Sequence, residues 1–237
     1  MNIAGYAIAP KHVPMPPQRA GRKARLPTVA IELARVAIGD RSIPETAAIF
    51  FGTTYGAETE TEAFVENMIL HEEQLPKPRA FSASVHNSMA TRVAIALGVR
   101  GTNRTYVQAE QSFQLALRAA ARVPIAIIGS LDESTELLQR GHTEFNDVLE
   151  GEGGAVLYVH PDGALARIRL DGTAEVWIRP VARYPGAVAT TTALAVGVVH
   201  GDVAPQEIGL GEQPTSIGIR SVSRHRERSR IVVERIG

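Results

Sequence analysis

The hydrophobic pattern of this chain switches repeatedly between the periods of strand and helix. Ile3–Ala9 is a short apolar run of strand type, and Ala47-Ala-Ile-Phe-Phe-Gly52 and Pro124-Ile-Ala-Ile-Ile-Gly129 read as buried strands. Between them, Thr28–Ile38 sets Ile31, Leu33, Ala34, Val36 and Ile38 along a mostly apolar helix that Gly39 ends. Thr59-Glu-Thr-Glu62 has capping-box spacing and introduces a helix with Phe64, Val65, Met68 and Ile69 on one face. Asn87 is placed to cap a further helix, in which Val93, Ile95, Ala96 and Leu97 run up to Gly98. Arg104–Ala109 is a strand candidate that leads directly into an Ala- and Leu-rich helix, Ser112–Arg122. This alternation predicts an α/β fold.

Past Gly151-Glu-Gly-Gly154 the texture becomes β-rich. Ala155–His160 and Leu165–Leu170 flank Pro161-Asp-Gly163, a hairpin-type turn, and Asp171-Gly172 leads into Ala174–Ile178. Residues 187–199, rich in Ala, Thr and Val, fit helix and strand equally. Ser216–Ser223 and Arg230–Ile236 read as two strands around a charged turn.

Composition narrows the classes of function. Of 237 residues, 25 are Lys or Arg and 25 are Asp or Glu, so no global charge excess points to nucleic acid. Cysteine is absent, which removes disulfides, thiolate metal sites and cysteine nucleophiles together. Met1–Pro10 lacks the charged lead and the length of a signal peptide, and no run approaches the roughly 18 apolar residues that span a bilayer. A cytoplasmic protein with no membrane partner is expected.

Three segments carry more specific information. They are Phe81-Ser-Ala-Ser-Val-His-Asn-Ser-Met-Ala90 with the helix ending Ile95-Ala-Leu-Gly-Val-Arg-Gly-Thr-Asn103, then Thr105-Tyr-Val-Gln-Ala-Glu-Gln-Ser112, then Gly151-Glu-Gly-Gly-Ala-Val-Leu157. In this order they resemble the β-ketoacyl synthase branch of the thiolase superfamily. The second resembles the strand-to-helix turn around the catalytic cysteine, and the third the glycine-glutamate-glycine strand that follows. The serine-valine-histidine-asparagine version is similar to a short, chain-length-factor-like subgroup, some of which occur with aryl polyene and other polyketide-type pathways. The resemblance implies one thiolase-like α/β domain over 1–237. Residues 1–160 then correspond to the synthase N-terminal half, and 161–237 to an eroded, β-rich second half.

The resemblance also marks what is missing. Glu110 stands at the position of the nucleophilic cysteine. The late histidines, His200 in Val-His-Gly-Asp202 and His225 in Arg224-His-Arg-Glu-Arg228, match neither histidine motif of the active enzymes. Thioester-forming condensation is therefore not expected of this chain, because a carboxyl is a poor substitute for a thiolate. The implied pocket is lined by Glu110, Gln111, Ser112, Phe113, His86 and Asn87.

Glu110, Ser112 and His86 each have a structural and a functional reading. A helix N-terminus would favour the Glu110 carboxylate and burial would raise its pKa, so it is either a turn residue satisfied by backbone N–H groups or a pocket residue. Ser112 lacks a nucleophile elbow and reads as a helix-start serine. His86 either stabilises the turn before Asn87 or serves as a general base. No cofactor or metal is expected: Asp147, Glu150 and Glu152 lack ligand spacing with His142 and Glu144, and Gly151–Gly154 lacks the Lys and Ser/Thr of a phosphate loop. Arg224–Arg230 reads as a solvated turn. The Arg19, Arg22, Lys23 and Arg25 loop also reads as solvated, with the option of meeting an acidic acyl carrier protein.

The resemblance implies a chain-length-factor-type partner of an active ketosynthase, dimerising with it or with itself through the Arg104–Ala109 strand. The alternative is a stand-alone enzyme, a decarboxylase or acyltransferase of acyl or malonyl thioesters using Glu110. A third reading is an acyl or carrier-protein binding module.

Overall fold

The structure is a computed structural model and describes residues 1–17, 24–74, 76–109, 111–144, 152–180, 185–222 and 228–236. In chain order its elements are β1 (Asn2–Ala9), α1 (Arg25–Ile38), β2 (Ala48–Gly52), α2 (Glu58–Leu70), α3 (Pro78–Ser84) and α4 (Ser88–Leu97). They continue with β3 (Asn103–Tyr106), α5 (Ser112–Ala120), β4 (Ala126–Asp132), α6 (Glu136–Glu144), β5 (Gly153–Val159) and β6 (Ala166–Arg169). The chain closes with β7 (Val176–Ile178), α7 (Pro185–His200), β8 (Ser216–Val222) and β9 (Arg228–Glu234).

The described strands form one nine-stranded sheet in the order β3-β2-β4-β5-β1-β6-β9-β8-β7. β2 runs parallel to β3 and β4, β7 runs parallel to β8, and the other pairs are antiparallel. Alternation along β2 sends Ala48 and Phe50 to one face and Ile49 and Phe51 to the other. Phe50, Ile128 and Leu157 meet α5 and α7, through Phe113, Leu117, Val196 and Val199. Ile49, Phe51, Ile127 and Tyr158 meet α1 and α4, through Leu26, Leu33, Met89 and Val93. Both faces are covered, which is why the central strands read as unbroken apolar runs.

The structure corrects several expectations. Pro161–Gly163 is not the tip of a hairpin: β1 lies between β5 and β6, pairing Tyr6 with Leu157 and Ile3 with Ala166. Residues 187–199 are helix, and their lack of amphipathic pattern reflects burial on nearly all sides. The Thr191 and Thr192 hydroxyls donate back to the Ala187 and Val188 carbonyls at 2.8 Å, so burial leaves them satisfied.

The start of α2 also departs from its pattern. Ala57, not Thr59, occupies the N-cap position, because the Thr59 hydroxyl and amide are taken by Glu133. The expected apolar face of α2 lies outside the core, with Val65 47% and Ile69 72% exposed. Asn87 does sit at the N-cap of α4, but its side chain makes no cap bond. On α1, Val36 points to solvent, and Val29, Ala30 and Ala37 join Leu33 and Ala34 in the buried stripe.

Candidate functional site

The carboxyl ends of the parallel strands β2, β3 and β4 lie side by side, the edge where open α/β sheets place their chemistry. Gly52 ends β2 there, and a Cβ on it would sit 2.4 Å from the Ser112 carbonyl carbon and 2.5 Å from the Phe113 amide. Only glycine lets α5 start this close to the sheet. Ser112 is fully buried, and its hydroxyl donates to the carbonyls of Thr53 (3.0 Å) and Ala109 (2.7 Å) while accepting from the Gln108 amide (2.8 Å). It therefore fastens the β3–α5 turn to the end of β2 and has no hydroxyl proton to spare. Phe113 is buried in the core.

Ala109 has φ +43°, a left-handed conformation that a non-glycine residue holds at a cost of about 1 kcal/mol. Glu110 follows it and lies outside the described residues. Gln111 precedes α5, its amide donating to the Gln108 carbonyl at 3.0 Å. His86 and Asn87 are exposed, and the His86 ring lies against Gly56, 3.6 Å from where a Cβ would stand. The loop 53–57 thus contacts Ser112 on one side and His86 on the other.

A second group of residues, which the sequence reading passed over, organises this edge. Asp132, at the end of β4, is completely buried. Its Oδ1 accepts from the Thr53 hydroxyl (2.8 Å) and from the amides of Thr54 (2.9 Å) and Tyr55 (3.5 Å); its Oδ2 accepts from the Gly186 amide in α7 (3.0 Å). Burial pushes this carboxyl above its ordinary value, and the donors from Thr54, Thr53 and Gly186 pull it back only in part.

Glu133 is also completely buried, with Oε1 accepting from the Thr59 amide (2.8 Å) and Oε2 from the Thr59 hydroxyl (3.0 Å) and Arg25 (2.9 Å). Arg25, expected in a solvated loop, is 6% exposed, and its guanidinium forks onto both oxygens of Glu152. Two adjacent carboxylates thereby tie together the starts of α1, α2, α7 and β5. The usable signal was the polar run Ser130-Leu-Asp-Glu-Ser-Thr135 directly after an apolar strand. Arg19, Arg22, Lys23, Asp147, Glu150 and His225 lie outside the described residues, as do the side chains of His142 and Glu144. Among the described residues no cluster of three or more His, Asp or Glu is arranged for a metal, and no helix is long and apolar enough to cross a membrane.

No family model matches the sequence, and no curated protein matches it. Solved structures do. The ishigamide ketosynthase/chain length factor superposes with TM-score 0.66 at 15% identity, covering 96% of this chain and 86% of that one. The fold is thiolase-like, of the ketosynthase and chain length factor kind. A ketosynthase in complex with its chain length factor from Xenorhabdus doucetiae matches this ketosynthase-like fold with TM-score 0.64 at 12% identity, over 94% of this chain and 84% of that one. A type II PKS acyl-carrier protein complex with its ketosynthase gives 0.66 at 11% identity, over 89% and 84%. The coverage takes in residues beyond 160, where the sequence motifs are silent.

Within the ketosynthase-like fold, one carboxylate stands out electrostatically. Burial, then the neighbouring charges of Glu62 and Glu133, push Glu58 up to about 7. A carboxyl raised in the folded state holds its proton where the unfolded chain has lost it, so stability falls as pH rises from about 4.5 to about 7. Glu58→Gln is expected to remove that slope, raising Tm by a few degrees at pH 8 and leaving it unchanged at pH 4.5. Scanning calorimetry across this range checks it.

Proposed function

We propose that this chain is a non-condensing, chain-length-factor-type subunit that pairs with an active ketosynthase in polyketide or fatty-acid-like biosynthesis of the aryl polyene type. The observation that carries this reading is an open strand. β3 is the outermost strand of the sheet. The Thr102 and Tyr106 carbonyls accept from the Ile49 and Thr53 amides of the β2 side (2.7 and 3.1 Å), so by strand alternation Asn103 and Thr105 turn their backbone groups away from β2. Val107, just beyond, is 50% exposed. An unpaired, partly apolar edge of this kind needs a mate.

Two further observations support it. A chain without cysteine must take its thiolate chemistry from another subunit, and the ishigamide and Xenorhabdus structures are a ketosynthase with a chain length factor. The acyl carrier protein is proposed to meet the rim of a cavity of about 790 Å³ between α1, α3 and α4, where Lys77, Arg79 and Arg92 outnumber Glu60 and Arg35 is paired with Glu32. Residues 1–237 act as one unit in the cytoplasm, and Gln111 belongs to the turn that follows the pairing strand.

The test is co-expression with the ketosynthase encoded nearest to this gene, read by size-exclusion chromatography with light scattering. A one-to-one complex that elongates is expected, and Thr105→Pro should weaken it at least about tenfold while leaving the isolated fold intact, since that amide makes no bond to β2. A homodimer that ignores every synthase offered overturns the reading. The strained Ala109 before Glu110 favours one rival, an enzyme acting on malonyl or acyl thioesters. Glu110→Ala abolishes turnover in the rival and leaves the complex intact in the reading preferred.

A further inference from the structure

The groove between α2 and α6 combines features that no partner among the described residues explains. Val65, Ile69, Leu70 and Leu137 line it and are 47, 72, 69 and 65% exposed. Four large apolar side chains this open to water form the kind of patch that marks an interaction surface. The groove has a volume of about 540 Å³, and a second hollow of about 410 Å³, which reaches on to Met68 and Glu72, shares Val65 and Ile69 with it. Val65 and Ile69, one turn apart, therefore form a ridge between two hollows. A ridge projects into a partner rather than enclosing a small ligand, which points to a protein surface.

The charge around the ridge selects the kind of protein. Glu58, Glu62 and Glu136 stand on the groove, and its cation, Arg140, is already paired with Glu136. Glu62 accepts from the Thr135 hydroxyl. Glu58 is half-buried beside Glu62 and Glu133, and among the described residues no cation pairs with it. A half-buried carboxylate at the margin of an apolar strip is electrostatically incomplete. An incoming Lys or Arg, its aliphatic stem lying along Val65 and Leu137, would complete it.

We infer that the α2–α6 groove is a docking site for an apolar segment of the synthase partner that carries a Lys or Arg side chain onto Glu58. This rests on the partner reading above and extends the contact from the β3 edge onto α2. α3 and α4 lie between the two: α3 packs on α2, with Phe81 against Phe64 at 5.4 Å between ring centroids, and α4 packs on both α3 and β3. The same acidic rim turns away an acidic carrier protein, so it separates the synthase-facing surface from the cationic cavity beside α1.

The experiment uses the co-expressed complex. A photoreactive benzoylphenylalanine at position 69 is expected to cross-link to a synthase peptide that contains Lys or Arg. Glu58→Lys is expected to raise Kd at least about tenfold, and Val65→Ser with Ile69→Ser about a hundredfold. Circular dichroism of the isolated variants should be unchanged, because these side chains face solvent or lie half-buried at the groove mouth. If Thr105→Pro weakens the complex but position 69 gives no cross-link and the groove variants bind normally, the groove assignment is wrong and the partner reading survives. If no synthase binds the wild-type chain, both fail. If the groove variants instead dissolve a homodimer, the occupant is a second copy and the inference is overturned.

Discussion

Arg25→Met is expected to remove about 3–5 kcal/mol of folding stability, the cost of stripping the cation from a buried ion pair. The size follows from what stays behind. Glu133 is completely buried and Glu152 lies against the same guanidinium, so the variant leaves two carboxylates facing each other without a counter-charge. The loss depends on pH. Without Arg25 the Glu133 carboxyl rises further above its unfolded value, so the penalty is fullest at pH 8 and shrinks as acid protonates it. Arg25→Met combined with Glu133→Gln should recover a large part, since a neutral amide can still accept from Thr59. Urea unfolding of the two single variants and the double variant at pH 8 and pH 5 measures the cycle. A Met variant as stable as the wild type at pH 8 would show that Glu133 finds another partner or is protonated already.

Asp132→Ala is expected to cost about 2–4 kcal/mol, because it orphans several donors at once. The amides of Thr54, Tyr55 and Gly186 and the Thr53 hydroxyl all point at one carboxyl in a site closed to water. Asp132→Asn should fall between Ala and wild type. Whichever way its amide turns, an N–H faces an N–H, either at Gly186 or at Thr54. The local signature distinguishes this from a generic core defect. Hydrogen exchange at Thr54 and Gly186 should speed up together, although one lies after β2 and the other opens α7. If only one accelerates, the carboxyl is not the tie between them.

These two carboxylates also mark where sequence reading stopped short. The strands β2, β4 and β5 were legible because both faces of the sheet are covered and every residue in them but Asp132 is apolar or small. α1 and α5 were legible through Gly39 at one end and an Ala-rich face at the other. The buried acids were not, since Asp and Glu score as surface residues and their partners, Thr59, Arg25 and Gly186, are 54 to 108 positions away. Ser112 was read correctly as a helix-start serine, but its bond to Thr53 depends on β2 and β3 being neighbours, which local pattern does not encode. α2 misled for a related reason: its apolar spacing was real, but it faces outward and not into the core.

The place of β1 has a consequence for how the chain is made. Synthesised first, it sits fifth in the sheet, bonded on one side to β5 and on the other to β6. The Met1 carbonyl receives the Ile168 amide, and the Ile3 carbonyl the Leu165 amide. While a ribosome is still translating the residues between β1 and β5, neither edge of β1 has its mate. α1 and its apolar neighbours can gather early, but the sheet cannot close until residues near 168 have emerged. Closure is therefore a late, long-range event, and until then the nascent chain carries an unpaired hydrophobic strand.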